Sequence, residues 1–592
     1  MGSRGRQGDP GGCREACLLV LEVFEGPSRL PLSPTRRPVP THSWPPLPLS
    51  PSGPRPGRGP LLPPLPRLLA ARSPRCLTME PRSSPREPLL RTEPGEDYQA
   101  VAHADPRQVE KDYYRSLRSR RLFVAALAAV LGNFSFGFAL VYPSPVIPAL
   151  ERSQVRSLQL SEAAASWFGS VFTLGVAAGG LGTMYFNDCW GRKLSIMTSA
   201  VPSAFGYLLM GSAQEVWMLL VGRLLTGFAG GVTSASIPVY ISEISYPGIR
   251  GALGSCPQIM AVLGALTLYS LGLVLPWRWL AVAGEVPVLL MIILLCFMPD
   301  SPRFLISKRK DDEALSALTW LRGQDTDYQW EYEQIKDSVK EQSKPITWAE
   351  LKTPYIYKPV GITLLMRFLQ QLSGITPILV YLQLIFDSTA VILAPQYDAV
   401  LVGAVRLVSV IVAASSMDKA GRKILLYISA VIMFASSLTL GLYIHYVPLH
   451  RNTSTTAVNS SHESLVPHPA NGLTILPLIA TMFFIIGYAV GWGPITWLLM
   501  GEVLPLKARG MVSGLCVLVS WLTAFALTKA FLRVKEAFGL EVPFFFFSII
   551  CVINLIFTKW LIPETKGRSL ERIESYFRTG RKSFLESLRR HR

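Results

Sequence analysis

SEISYPGIRG, residues 242–251, lies between two long apolar runs and places Glu243 seven residues before Arg250. GEVLPLKARG, residues 501–510, repeats the arrangement with Glu502 and Arg509. Two further signals recur in the same order. NDCWGRK (187–193) returns as MDKAGRK (417–423), and PDSPR (299–303) returns as PETKGR (563–568). Charges beside apolar segments are costly unless they sit at a membrane edge and are paired, so their repetition points to a duplicated architecture.

Around these signals the chain reads as twelve apolar stretches near 122–148, 164–186, 194–213, 216–240, 252–274, 279–298, 359–387, 395–417, 423–446, 473–503, 510–534 and 542–562. Each is long enough to cross a bilayer, which takes about 20 residues as a helix. The expected fold is an all-α membrane protein: twelve transmembrane helices in two pseudo-symmetric six-helix bundles, with a cytoplasmic helical linker between them. The domain boundaries that follow are a Pro/Arg-rich disordered tail over 1–120, a bundle over 121–300, a linker over 301–358, a second bundle over 359–563 and a tail over 564–592. Met79 opens MEPRSSPREPLL, which reads as an ordinary amino terminus, so residues 1–78 are an expected alternative start.

Composition agrees with a membrane solvent. Of 592 residues, 49% are hydrophobic and only 17% charged, against about a quarter charged in soluble domains. The formal charge of +18 does not indicate nucleic acid: residues 1–121 hold 20 Lys/Arg against 12 Asp/Glu, and no aromatics interleave with the basic residues to stack on bases. RSLRSRR (115–121), the segment 301–358 and RTGRKSFLESLRR (578–590) are basic, which places both termini and the repeated motifs in the cytoplasm. The loop 447–472 then faces the lumen or exterior, and Asn452 and Asn459 head sequons within it. The eight cysteines form neither a disulfide framework nor a metal site, and no cofactor, nucleophile or phosphate-loop motif is present, which excludes the common enzyme readings.

GRK twice, the two Glu…Arg pairs, PDSPR, PETKG and QQLSGI resemble the sugar-transporter family of the major facilitator superfamily, over about residues 120–580. VGWGPITW, the long ninth loop and an early dileucine resemble its class III facilitative hexose carriers. The resemblance implies alternating access and a cytoplasmic gate built from Asp188, Arg192, Arg223, Glu243 and Arg250 in the first half and Asp418, Arg422, Glu502 and Arg509 in the second. These charges are expected to latch the cytoplasmic ends when the site opens outward; the plainer reading is that they only fix helix ends.

Solute binding needs amides and hydroxyls for sugar hydroxyls and rings for C–H faces. Gln258 in the fifth span, Gln370 and Gln371 in the seventh, and Trp497 in the tenth meet that need and match sugar-contacting positions of the family; Trp521 matches a motif tryptophan near the inner cavity. Gly374, Pro377, Gly491, Gly493 and Pro494 weaken the helices beside them. Thr376, Ala489 and Ala524 depart from the asparagine, glutamate and asparagine of the well-known glucose carriers, and Arg406 in the eighth span replaces another asparagine. An intramembrane arginine must face protein or water. Three roles stay open for Arg406: bonding sugar hydroxyls, attracting an anionic group, or plugging the cavity.

Proton-coupled relatives carry an aspartate after a Phe-Gly-Tyr-like triplet in the first span; here Ala139 follows Phe136-Gly137-Phe138. Facilitated transport of a hexose or a related small polar solute is therefore the expected function. The alternatives are a proton-coupled carrier and a weakly transporting sugar sensor. Leu89-Leu90 and the tyrosine signal at Tyr98 suggest sorting adaptors as partners and a lysosomal or endosomal membrane, with the plasma membrane as the alternative.

Overall fold

The computed structural model describes residues 120–323, 328–342, 353–389, 393–447, 472–504, 509–566 and 577. Leu89, Leu90, Asn452 and Asn459 lie outside them. Among the described residues eleven helices are long and apolar enough to cross a membrane, and a bent pair supplies a twelfth. In hydrocarbon a backbone N–H or C=O has no water to bond, which is why these apolar runs are helical over nearly all their length.

The first six spans are α1 Arg120–Val141 continued by α2 Pro143–Glu151, α3 Glu162–Cys189, α4 Arg192–Thr198 continued by α5 Ala200–Gly211, α6 Val216–Ile244, α7 Pro247–Leu271 and α8 Trp277–Cys296. Three short helices follow: α9 Pro302–Ser307, α10 Asp311–Arg322 and α11 Gln329–Gln342. They share a small apolar core of Phe304, Leu305, Ala314, Leu318 and Tyr332. Arg322 and Glu331, both buried, close it with an ion pair of 2.6 Å, and Arg322 Nη1 donates to Ile244 O at 2.9 Å, which ties the linker to the end of α6.

The second half contains α12 Pro354–Leu372, α13 Ile375–Val380, α14 Leu382–Thr389, α15 Pro395–Ala420, α16 Arg422–Tyr446, α17 Leu476–Val490, α18 Pro494–Val503, α19 Arg509–Phe538 and α20 Glu541–Trp560. The seventh span is broken. Gly374 takes φ +90°, a left-handed conformation, and a Cβ there would run into the Phe547 ring. The chain then bends by 74° between α13 and α14. The tenth span breaks at Gly491–Gly493, between α17 and α18.

Small residues set the close helix crossings. Gly175 and Gly179 of α3 lie against the backbone of α6 at Leu224 and Phe228, while Gly227 and Gly231 of α6 lie against α3 at Phe172 and Val176. Lipid is as apolar as a side chain, so contact at van der Waals distance, rather than exclusion of water, holds such helices together.

The halves meet along α3 with α19 and α7 with α15. Hydrogen bonds join them at the ends remote from the repeated motifs: Tyr269 Oη donates to Leu379 O at 3.1 Å, Gln383 N to Ser144 Oγ at 3.2 Å and Ser166 Oγ to Lys529 O at 2.8 Å. Arg152 and Asp387 add an exposed ion pair of 3.7 Å on the same face. At the motif face Gly251, Gly254, Gly361 and Gly501 have no atom within 4 Å of where a Cβ would stand. Among the described residues the hydrogen bonds between the halves gather at the face remote from the motifs, while towards the motif face α3 and α19 stay in contact, with Met184 where a Cβ of Gly514 would stand.

Candidate functional site

At the motif face each half builds the same charge clasp from the same letters. The glycine of each GRK takes positive φ, +92° at Gly191 and +93° at Gly421, and turns one span directly into the next. The acid of the closing motif then caps the following helix. Asp300 Oδ1 accepts from Lys193 N at 3.3 Å, and Glu564 accepts from Arg422 N at 3.1 Å and Lys423 N at 3.0 Å. The lysine ammonium reaches the end of the sixth or twelfth span: Lys193 Nζ donates to Met298 O at 2.7 Å, and Lys423 Nζ to Lys559 O and Ile562 O at 3.0 Å. The arginine meets the repeated glutamate, Arg192 with Glu243 at 2.9 Å and Arg422 with Glu502 at 3.3 Å. Burial pushes the Asp300 carboxyl above its ordinary range, opposed by the N–H groups of Ser301 and Lys193 and by the Arg192 charge.

Each of these ion pairs joins elements of one half; none crosses to the other in this structure. Arg250 donates to Ser245 O at 3.2 Å within its own turn, and Asp188 is exposed. The side chains of Asp418 and Arg509 lie outside the described set. Arg223 needs correcting. It shares α6 with Glu243 but stands 20 residues earlier, about 30 Å along the axis at 1.5 Å per residue. It is fully buried between α1 and α3, donates to Ala139 O and lies 4.5 Å from the Phe172 ring centroid. Arg223 is therefore no part of the clasp, and only the direction of α6 separates it from Glu243.

The interior polar cluster belongs mainly to the second half. Gln371, at the break of α12, donates to Ser520 Oγ of α19 at 3.1 Å and accepts from Thr376 Oγ1 at 2.8 Å. Gln370 donates to Trp492 O at 2.7 Å and Tyr488 Oη at 3.0 Å, so it bridges the two broken spans. Its carbonyl accepts from Arg367 Nη1. The Arg367 guanidinium lies 3.8 Å from the ring centroid of Trp497, the fourth residue of α18, which is 37% exposed. Trp521 is buried edge-on against Phe136 of the first half at 5.6 Å, its Nε1 without a partner. Arg406 is buried on α15, whose Leu407 and Val410 pack with Ala489 of α17, the residue after Tyr488. Gln258, half-buried on α7, takes no part in these bonds.

The structure thus brings Gln370, Gln371, Thr376 and Trp497 together and packs α15, which carries Arg406, against α17, which carries Tyr488. Arg367, Tyr488 and Ser520 were not anticipated. Arg367 was legible by the rule that singled out Arg406, an arginine inside an apolar run. Ser520 was not, because serines are common in spans and usually bond their own helix, as Thr523 does to Val519 O at 2.7 Å.

Residues 124–577 match the family described as Sugar (and other) transporter. The chain belongs to that family. It is 63% identical over 506 residues to the human protein named solute carrier family 2, facilitated glucose transporter member 6, covering 84% of this chain and all of the relative. It is 45% identical over 469 residues to mouse facilitated glucose transporter member 8, covering 78% and 96%. A facilitated trehalose transporter of Polypedilum vanderplanki is 34% identical over 454 residues, covering 76% and 87%. Among solved structures, the major-facilitator proton:xylose symporter bound to 6-bromo-6-deoxy-D-glucose superposes with TM-score 0.64 at 24% identity, covering 78% of this chain and 99% of that one. The inward-open E. coli xylose transporter gives 0.62 at 23%, covering 77% and 99%. This sugar-transporter family member is therefore a multi-pass membrane protein with the major-facilitator fold.

Proposed function

We propose that the protein carries a hexose or a closely related small polar solute downhill across its membrane by alternating access. The observation that carries this reading is the meeting of two broken spans at Gln370, whose amide reaches from α12 to Trp492 O beyond α17. Breaks of this kind let a helix pair bend about a bound solute, and backbone freed at depth is tolerated where it lines a cavity. The names of the relatives, facilitated glucose transporters, support the hexose class and the absence of coupling. So does α1, which has no acid along its length, and Ala139, whose carbonyl is taken by Arg223.

In this reading the clasps at the motif face are cytoplasmic and re-form across the halves when the site opens to the other side. The bonds of Tyr269, Gln383 and Ser166 then belong to the inward-open arrangement. Sorting through Leu89-Leu90 to a lysosomal or endosomal membrane, with glycans at Asn452 and Asn459, completes the proposal.

The test is counterflow of labelled hexoses into proteoliposomes holding the full-length protein, with and without a cross-link between introduced cysteines at the motif-face tips of α7 and α19. Saturable counterflow that the cross-link stops is expected; flux untouched by the cross-link sinks alternating access. A second reading, a sugar sensor with little flux, is favoured by the internal bonds that already satisfy Gln370 and Gln371. Ligand-dependent stabilisation without any counterflow would select it.

A further inference from the structure

Among the described residues, two arginines stand in the membrane interior of the second half with no carboxylate paired to them. Arg367 is 1% exposed and Arg406 8%. A guanidinium keeps its charge at any depth, and burying one unpaired costs several kcal/mol in general. The acids that could answer them are elsewhere. Glu502 holds Arg422, and Asp398, two turns before Arg406 on α15, is buried with neither oxygen bonded. Arg406 makes no hydrogen bond or ion pair among the described residues, and Arg367 Nε has no partner.

Arg367 also occupies the groups a neutral sugar would use. Its Nη1 takes the Gln370 carbonyl, and its guanidinium covers a face of Trp497. An uncharged hexose has nothing with which to draw the arginine away. A carboxylate or phosphate does, because a guanidinium matches two acceptor oxygens at once and the charged bond is about twice as strong as a neutral one. Moving Arg367 onto an anion would free the Gln370 carbonyl for hydroxyls and the Trp497 ring for a sugar face.

We infer that the polar cluster around Gln370 takes an anionic monosaccharide, a hexose bearing a carboxylate or a phosphate, with Arg406 as its charge partner and Arg367 as the group it recruits. This rests on the reading of that cluster as the solute site. It gives the two uncompensated charges a common purpose and one of the three roles open to Arg406.

The test uses the purified full-length protein. Thermal stabilisation is titrated with D-glucuronate, D-glucose 6-phosphate, D-glucose and inorganic phosphate. At least one anionic sugar is expected to act at a concentration at least tenfold lower than glucose, and inorganic phosphate is expected not to match it. Arg406→Gln should cut the anionic-to-neutral preference about tenfold, and Arg406→Lys, which keeps the charge, should cut it less. Glucose acting as well as both anionic sugars, an unchanged preference in Arg406→Gln, or inorganic phosphate acting equally well would each overturn the inference. Counterflow in proteoliposomes separates this from the carrier reading. Neutral-hexose counterflow with no anionic preference defeats the inference alone, whereas anionic binding with no counterflow of any sugar defeats the carrier and leaves the inference standing.

Discussion

The two halves are alike at their motif faces and unlike at their centres. Gly191 and Gly421 share a backbone conformation, Asp300 and Glu564 cap the same turn, and Arg192 and Arg422 meet matching glutamates. Deeper in, the first half's one fully buried arginine, Arg223, is pinned between a backbone carbonyl and two phenylalanine rings. The second half keeps Arg367 and Arg406, with broken spans and a web of amides around them. Duplication preserved what any six-helix bundle needs at a membrane edge, where short turns and helix caps have few solutions. The centre was free to diverge, and the second half holds the broken spans and the amide web around them.

Breaking the second half's hinge should have the largest effect. Gly374→Val forces a β-branched residue into φ +90° against Phe547, and we expect a loss of about 3 kcal/mol or more and no counterflow. A folded, active Gly374→Val protein in thermal and flux assays would show that the break is incidental. The matched clasps offer a finer comparison. Glu243 is 8% exposed and Glu502 20%, so Arg192→Ala removes the charge partner of the more deeply buried carboxylate and leaves it the Ser301 hydroxyl. Arg192→Ala is expected to cost about 2 kcal/mol and Arg422→Ala about 1, measured by unfolding in detergent; equal costs would mean that exposure does not rank these pairs.

Arg406→Leu has the opposite sign. Removing a buried charge that makes no hydrogen bond or ion pair among the described residues should stabilise the ligand-free state by about 1 kcal/mol, seen as a rise in Tm. A fall in Tm would mean that Arg406 is held by contacts and serves the fold. The smallest expected effect is that of Tyr269→Phe, which deletes the bond to Leu379 O across the halves and costs about 1 kcal/mol or less. Because that bond joins the face opposite the motifs, the variant should raise cysteine-labelling access there; unchanged labelling would remove Tyr269 from the closing contacts.

The spans, their count and the duplication were legible in the sequence because a bilayer enforces them residue by residue: a run of about 20 apolar residues has nowhere else to go, and a charge at its end must find a partner. The helix breaks at Gly374 and Gly491–Gly493 were marked by residues whose backbone permits them. What sequence left open is which polar groups face one another. Gln370 and Gln371 could be named as adjacent amides, but their partners Ser520, Tyr488 and Trp492 O come from spans more than 110 positions away. Arg223 and Arg192 read alike in one dimension, and only the direction of α6 carries one of them about 30 Å from the clasp. Hydrophobic periodicity and glycine conformation are local quantities, so the sequence determined them by itself. Charge pairing and cavity chemistry depend on distances between helices, and tertiary packing alone decided those.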